Sequence, residues 1–252
     1  MARSNAWVAV AAADGPHRLG ISDEAATGEL SARMTGFWPG LNVQAPSAAF
    51  AIQQHEVSWA ELEAAGDSVG GLAGLHRPSW VPADAAKRAN LPATGVPWHV
   101  ARAWCRAVGG DLPSEAQWEW AARGPDARPF PWGRDALDTT RIRIQLKRPI
   151  PVAAVGTSPQ DVTPGAEPVR DLLGNAQEWT RDAWTPSRPG ETVDKGDAPH
   201  HRAVRGWPLT ERGARLPAEG ASYRQAMCVT GACDQDAAAT DLVGFRCVKP
   251  LP

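Results

Sequence analysis

A chain of 252 residues is long enough for one large domain or two small ones. With 43% apolar and 21% charged residues it is not a disordered chain, and a net charge of -2 gives no basis for binding nucleic acid or an anionic membrane. No stretch approaches the roughly 18–20 apolar residues that cross a bilayer, so no membrane insertion is expected.

Twelve Trp stand against one Tyr and four Phe. An indole joins a large apolar body to one donor, so most of these residues are expected to knit together a loop-rich core. Glycine (24) and proline (23) announce many turns and irregular connections. The opening Met1–Val10 has one positive charge but too short an apolar run before Asp14 for a secretory signal. A cytoplasmic location is expected if the chain is complete, and an extracytoplasmic one if a leader has been removed. Four cysteines leave the redox compartment open.

Trp7–Val10 reads as a strand, followed by a turn at Gly15–Gly20 that leads into a second. Residues 21–47 read as loop. Phe50–Val57 reads as a strand running into Ser58-Trp59-Ala60-Glu61, a capping box that opens a helix ending near Gly66. Residues 66–97 read as an irregular loop. Trp98, Ala101, Cys105 and Val108 recur at helical spacing and predict a helix stopped by Gly109-Gly110. A second capping box, Ser114 to Gln117, opens a helix that Gly124 ends, and Pro129–Gly133 is a rigid aromatic turn.

Beyond about residue 135 only short strands are predicted, at Ile142–Leu146, Val152–Val155, Ala203–Gly206 and Gly244–Val248. Two or three helices followed by short antiparallel strands in long loops specify one α+β domain over 1–252 with little regular structure.

Asp171-Leu172-Leu173-Gly174-Asn175-Ala176-Gln177-Glu178-Trp179-Thr180 holds two carboxylates around a Gly-Asn turn. Calcium takes about six to eight oxygen ligands, mixing carboxylates with carbonyls, and this stretch carries both. The competing reading is a buried turn whose carboxylates cap backbone amides or pair with Arg170 and Arg181.

Eight stretches, in order, resemble the formylglycine-generating enzyme (sulfatase-modifying factor) family: Trp7–Gly20, Phe50–Trp59, Val96–Cys105, Leu112–Gly124 (LPSEAQWEWAARG), Phe130–Gly133, Asp171–Thr180, Val204–Trp207 and Gly244–Cys247. The resemblance implies a C-type-lectin-like α+β fold. It also implies a calcium ion held by the side chains of Asp171 and Glu178 and the carbonyls of Gly174 and Ala176. A second family calcium site would fall between Trp132 and Val169, where the basic, apolar run Thr139–Ile150 offers no recognisable ligand set. Cys105 and Cys247 stand where family members join the helix to the last strand by a disulfide, which an oxidising compartment would allow.

The family's oxidase chemistry needs a Cys-x4-Cys pair to bind copper(I), a metal that favours soft thiolates. Cys228 and Cys233 have that spacing. Counted back from Cys247 without gaps, however, Cys228 falls on a later structural cysteine, and the catalytic positions become Ala218 and Tyr223. The serine and histidine that flank the first catalytic cysteine in the family are also missing. Six His offer no zinc or iron spacing. Glu115 and Glu119, one helical turn apart with one flanking the cap, suit structural roles better than acid–base work.

No catalytic residue is therefore assigned. The expected function is a catalytically degenerate, calcium-stabilised module that binds a protein or peptide near Trp207, Tyr223 and Arg224, residue types frequent at interfaces. The alternative is an active copper-dependent oxidoreductase using Cys228 and Cys233.

Overall fold

The computed structural model describes residues 5–17, 19, 38–39, 44–66, 75, 77–128, 130–135, 151–183, 201–206, 229–234 and 241–251. Helix α1 (Trp59–Ala64) starts where the sequence predicts. Ser58 Oγ accepts from the Glu61 amide at 3.3 Å, and Glu61 returns a carboxylate to the Ser58 amide at 2.8 Å. Helix α2 (Ala85–Arg88) lies in the stretch expected to be irregular. At four residues it is too short for periodicity to reveal, and the Asp84 side chain caps it.

Helix α3 (Trp98–Ala107) buries Trp98, Val100, Ala101, Trp104 and Cys105 on one face. It stops at Gly109, which has φ +86, and at Gly110, where a Cβ would sit 2.3 Å from the Val248 carbonyl. Helix α4 (Glu115–Arg123) opens on the predicted Ser114–Gln117 box. The turn after it closes with reciprocal Phe130 and Gly133 hydrogen bonds and stacked Phe130 and Trp132 rings.

Two sheets carry the rest. Strands β1 (Trp7–Val10), β3 (Phe50–Gln53) and β8 (Val248–Pro250) form an antiparallel sheet in the order β1-β3-β8. The other sheet has the order β2-β6-β5-β4-β7. It contains β2 (Trp38–Pro39), β4 (Gln177–Ala183), β5 (His201–Arg205), β6 (Val229–Asp234) and β7 (Val243–Gly244). All its pairings are antiparallel except β4 with β7.

Three expectations change. The strand expected at Phe50–Val57 ends at Gln53. The one expected at Val152–Val155 is irregular, because the Ala153 amide donates to Asn175 Oδ1 and the Val155 amide to the Asn90 carbonyl rather than to a neighbouring strand. The single strand expected at Gly244–Val248 is two: β7 in the larger sheet and β8 in the smaller, joined by Phe245-Arg246-Cys247. Strands β4 and β6 and the two-residue β2 were not predicted, and Ile142–Leu146 lies outside the described residues.

The mixed α+β architecture with little regular structure is as expected. Two apolar clusters fill it, one around Phe50, Ile52, Trp118 and Leu172, the other around Trp59, Trp104, Trp179 and Phe245. Six of the tryptophans (59, 98, 104, 118, 120 and 179) are buried. Cys105 and Cys247 form a disulfide in the second cluster, across 142 residues of sequence.

Candidate functional site

The crossing segment Phe245–Cys247 drops Arg246 between the two sheets, fully buried. A buried guanidinium needs a partner for its charge and acceptors for its five N–H groups. Arg246 finds both. Its Nε and Nη2 fork onto Glu178 Oε2 and Oε1 at 2.7 and 2.6 Å. Its Nη groups also donate to the carbonyls of Gln53, Gln54, Arg170 and Asp171. Burial opposes this charge, but Glu178 holds the guanidinium above its ordinary value.

Glu178 reaches this place because β4 alternates. Glu178 and Trp118 Nε1 meet at 2.8 Å on the side of the first cluster, while the next residue, Trp179, enters the second and donates to the Val96 carbonyl. The partner of Glu178 is thus Arg246, not Arg170 or Arg181.

The turn before β4 is built on left-handed backbone at Asp171 (φ 56) and Asn175 (φ 64), residue types that tolerate this conformation. Asp171 Oδ2 accepts from the Gly156 amide, and Asp161 Oδ2 accepts from the Leu173 and Gly174 amides at 2.6 and 2.8 Å. From the far side, Glu56 Oε1 accepts from the Ala176 amide at 3.4 Å. Gly206, at φ +88, lets β5 end 3.5 Å from the Ala176 and Leu172 carbonyls, measured from a Cβ it does not have.

Four buried carboxylates therefore gather around one guanidinium: Glu56, Asp161, Asp171 and Glu178. With Glu178 answered by Arg246, Asp171 repels both Glu56 and Asp161 in a medium of low dielectric. Burial pushes Asp161 up to about 7, with the Asp171 charge adding to the rise and the Gly174 and Leu173 amides opposing it. Burial lifts Asp171 to about 6 against the Gly156 amide and Arg246. Glu56 is raised well above the usual range, by burial first and Asp171 second. Glu56 Oε2 and Asp161 Oδ1 are buried with no hydrogen-bond partner.

Of the sequence-derived ligand set, Asp171, Gly174 and Ala176 lie in this turn and Glu178 in the β4 strand that follows it. The set's donors are hard oxygens only, and the surplus of buried negative charge and unpartnered acceptors suits a hard cation such as calcium. Among the described residues no three acidic, imidazole or thiol side chains converge on one point, so backbone carbonyls and water would have to supply much of any shell. Sequence reasoning missed Glu56, Asp161 and Arg246. Glu56 and Arg246 carried a signal, as parts of the Phe50–Trp59 and Gly244–Cys247 stretches, and Asp161 carried none.

A second feature is a cavity of about 320 Å³ at the start of α4, lined in part by Glu115, Glu119, Asp182 and Arg205. Buried Arg205 bridges Glu119 at 2.7 Å and Glu115 at 3.3 Å, which gives those two acids a structural role. Trp207, Tyr223, Arg224, Ala218 and Cys228 lie outside the described residues, and Cys233 lies in β6 opposite Arg202. No helix among the described residues is long and apolar enough to cross a membrane.

Known proteins share this architecture. The chain is 30% identical over 169 residues to the formylglycine-generating enzyme of Mus musculus, covering 64% of this chain and 44% of that protein. It is 29% identical over 175 residues to the inactive C-alpha-formylglycine-generating enzyme 2 of Mus musculus, covering 65% and 50%. The matches thus span about half the length of these curated relatives.

PvdO from Pseudomonas aeruginosa superposes with a TM-score of 0.65 over 97% of this chain and 94% of its own, at 22% identity. CarF does so with a TM-score of 0.57 over 99% of each chain, at 16% identity. Residues 9–251 match the sulfatase-modifying factor enzyme 1-like domain, and the chain belongs to that family.

Proposed function

We propose that this chain is a catalytically degenerate, single-domain member of the family, stabilised by calcium and acting as a binding module for a protein or peptide. The observation that carries this reading is a contrast. The family's sequence stretches run the length of the chain, while a gap-free count back from Cys247 puts Ala218 and Tyr223 at the positions of the thiol pair. Formylglycine chemistry needs soft thiolate ligands there, and an alanine and a phenol cannot hold copper(I). That similar proteins include ones named inactive is consistent with this reading. In it, Asp171 and Glu178 side chains and the Gly174 and Ala176 carbonyls hold the calcium, and Trp207, Tyr223 and Arg224 contact the partner.

The second reading is an active copper-dependent oxidase using Cys228 and Cys233. It draws support from their spacing and from the relatives named as formylglycine-generating enzymes. Anaerobic copper(I) titration separates the two. No stoichiometric tight binding is expected; tight binding that disappears in Cys228→Ala would overturn the module reading.

For calcium, purification without chelator should yield about one equivalent by elemental analysis, and EGTA should lower the melting temperature. Glu178→Ala should lower it further than EGTA does, because it also strips buried Arg246 of its ion pair, and EGTA should lower the variant no more. Unchanged melting in chelator, with no calcium found, would remove the metal from the proposal.

A further inference from the structure

The carboxylates of Glu56 and Asp161 have a shared geometry that the four sequence-derived ligands do not explain. Each uses one oxygen to grip the turn. Asp161 Oδ2 takes the amide of Gly174, and Glu56 Oε1 takes the amide of Ala176, the two residues whose carbonyls are the proposed calcium ligands. Each leaves its other oxygen buried with no protein partner. The two acids come from opposite sides: Glu56 from the connection between β3 and α1, Asp161 from the irregular chain before the turn. Both are fully buried.

A calcium ion takes about six to eight oxygens, and the ligand set offers four groups, so about two to four positions fall to water. Bulk water cannot accept the protons of water ligands in a closed site. Those protons must point at protein acceptors, and an unpartnered carboxylate oxygen is the strongest kind available.

We propose that Glu56 and Asp161 are outer positioning residues of the calcium site, accepting hydrogen bonds from the ion's water ligands through Glu56 Oε2 and Asp161 Oδ1. The inference rests on the calcium reading above and extends it to two residues outside the four-ligand set. Glu56 then joins the β3–α1 connection to the ion, so calcium binding braces both sheets rather than one turn.

Terbium(III), a luminescent oxygen-seeking substitute for calcium, tests this in the intact chain. Trp118 donates to Glu178 at 2.8 Å and should sensitise the emission. Wild type should bind terbium saturably, release it to calcium, and show about two or more coordinated waters from emission lifetimes in H2O and D2O. Glu56→Gln and Asp161→Asn keep shape but remove charge, and each should weaken terbium about tenfold or more. In EGTA the same variants should melt at or above wild type, since with the ion gone neither Glu56 Oε2 nor Asp161 Oδ1 has a hydrogen bond to lose; a purely structural role predicts a lower melting temperature there.

Affinities within about twofold of wild type in both variants, no coordinated water, or a lower melting temperature in EGTA would each overturn this inference and leave the four-ligand calcium site standing. Failure of wild type to bind either ion would instead remove the calcium reading itself.

Discussion

Arg246 is the residue on which most buried polar groups converge. It has no exposed surface and spends its donors on Glu178 and four carbonyls drawn from both sides of the fold. Removing one member of such a pair leaves the other charge buried without an answer. Arg246→Leu should therefore cost about 3–5 kcal/mol in urea denaturation. Arg246→Lys should recover only part of that, because an ammonium cannot fork onto a carboxylate. A loss below about 1 kcal/mol would mean that the pair contributes little beyond its packing.

Asp111 gives the clearest pH signature. Burial pushes it up, but Arg102, forked onto it at 2.8 and 3.0 Å, and the Leu112 amide bring it below its ordinary value of 3.8. A folded value below the unfolded one stabilises the protein at higher pH, and that contribution is lost as pH falls through the folded value. The stability gap between wild type and Asp111→Asn should stay constant from about pH 7 to 5 and shrink below about 3.8. A gap unchanged into acid would assign the effect to packing.

Among the elements, α1, α3 and α4 were legible because their signals are local: a capping residue, an apolar stripe, a terminating glycine. Ser114→Ala should cost about 1 kcal/mol, measured by thermal melting, because it removes one acceptor of the box that opens α4. Strand β4 was not legible. Its sequence QEWTRDA puts a glutamate where burial calls for an apolar residue, and the partner that makes this tolerable lies 68 positions later. The calcium-ligand turn was read from one contiguous stretch. Glu56 and Asp161 were not: Asp161 lies in no matching stretch, and the Phe50–Trp59 stretch marks Glu56 without showing that it faces the turn. The valines at 152 and 155 looked like a strand because both are buried, but their backbone is satisfied by Asn175 and by the Asn90 carbonyl.

Over the whole molecule, the Cys105–Cys247 bridge closes a loop of 142 residues that contains α4, the carboxylate-rich turn and most of the larger sheet. Closing so long a loop reduces the entropy of the unfolded chain, and replacing both cysteines by alanine should cost about 2–5 kcal/mol, read from urea midpoints under non-reducing conditions. An unchanged midpoint would mean that packing around Trp104 and Phe245 already holds the ends together.

The crossing at Phe245–Cys247 also bears on how the protein is made. Strand β8 completes the sheet begun by β1, and Arg246 completes the ion pair beneath it, so neither half can mature while residues 245–250 remain inside the ribosome. Assembly must wait until residues 245–250 have emerged, and pairings this distant in sequence make it slow. Until then the nascent chain exposes two unfinished apolar surfaces rich in tryptophan. Demand for a chaperone should therefore concentrate in the interval before residues 245–250 emerge.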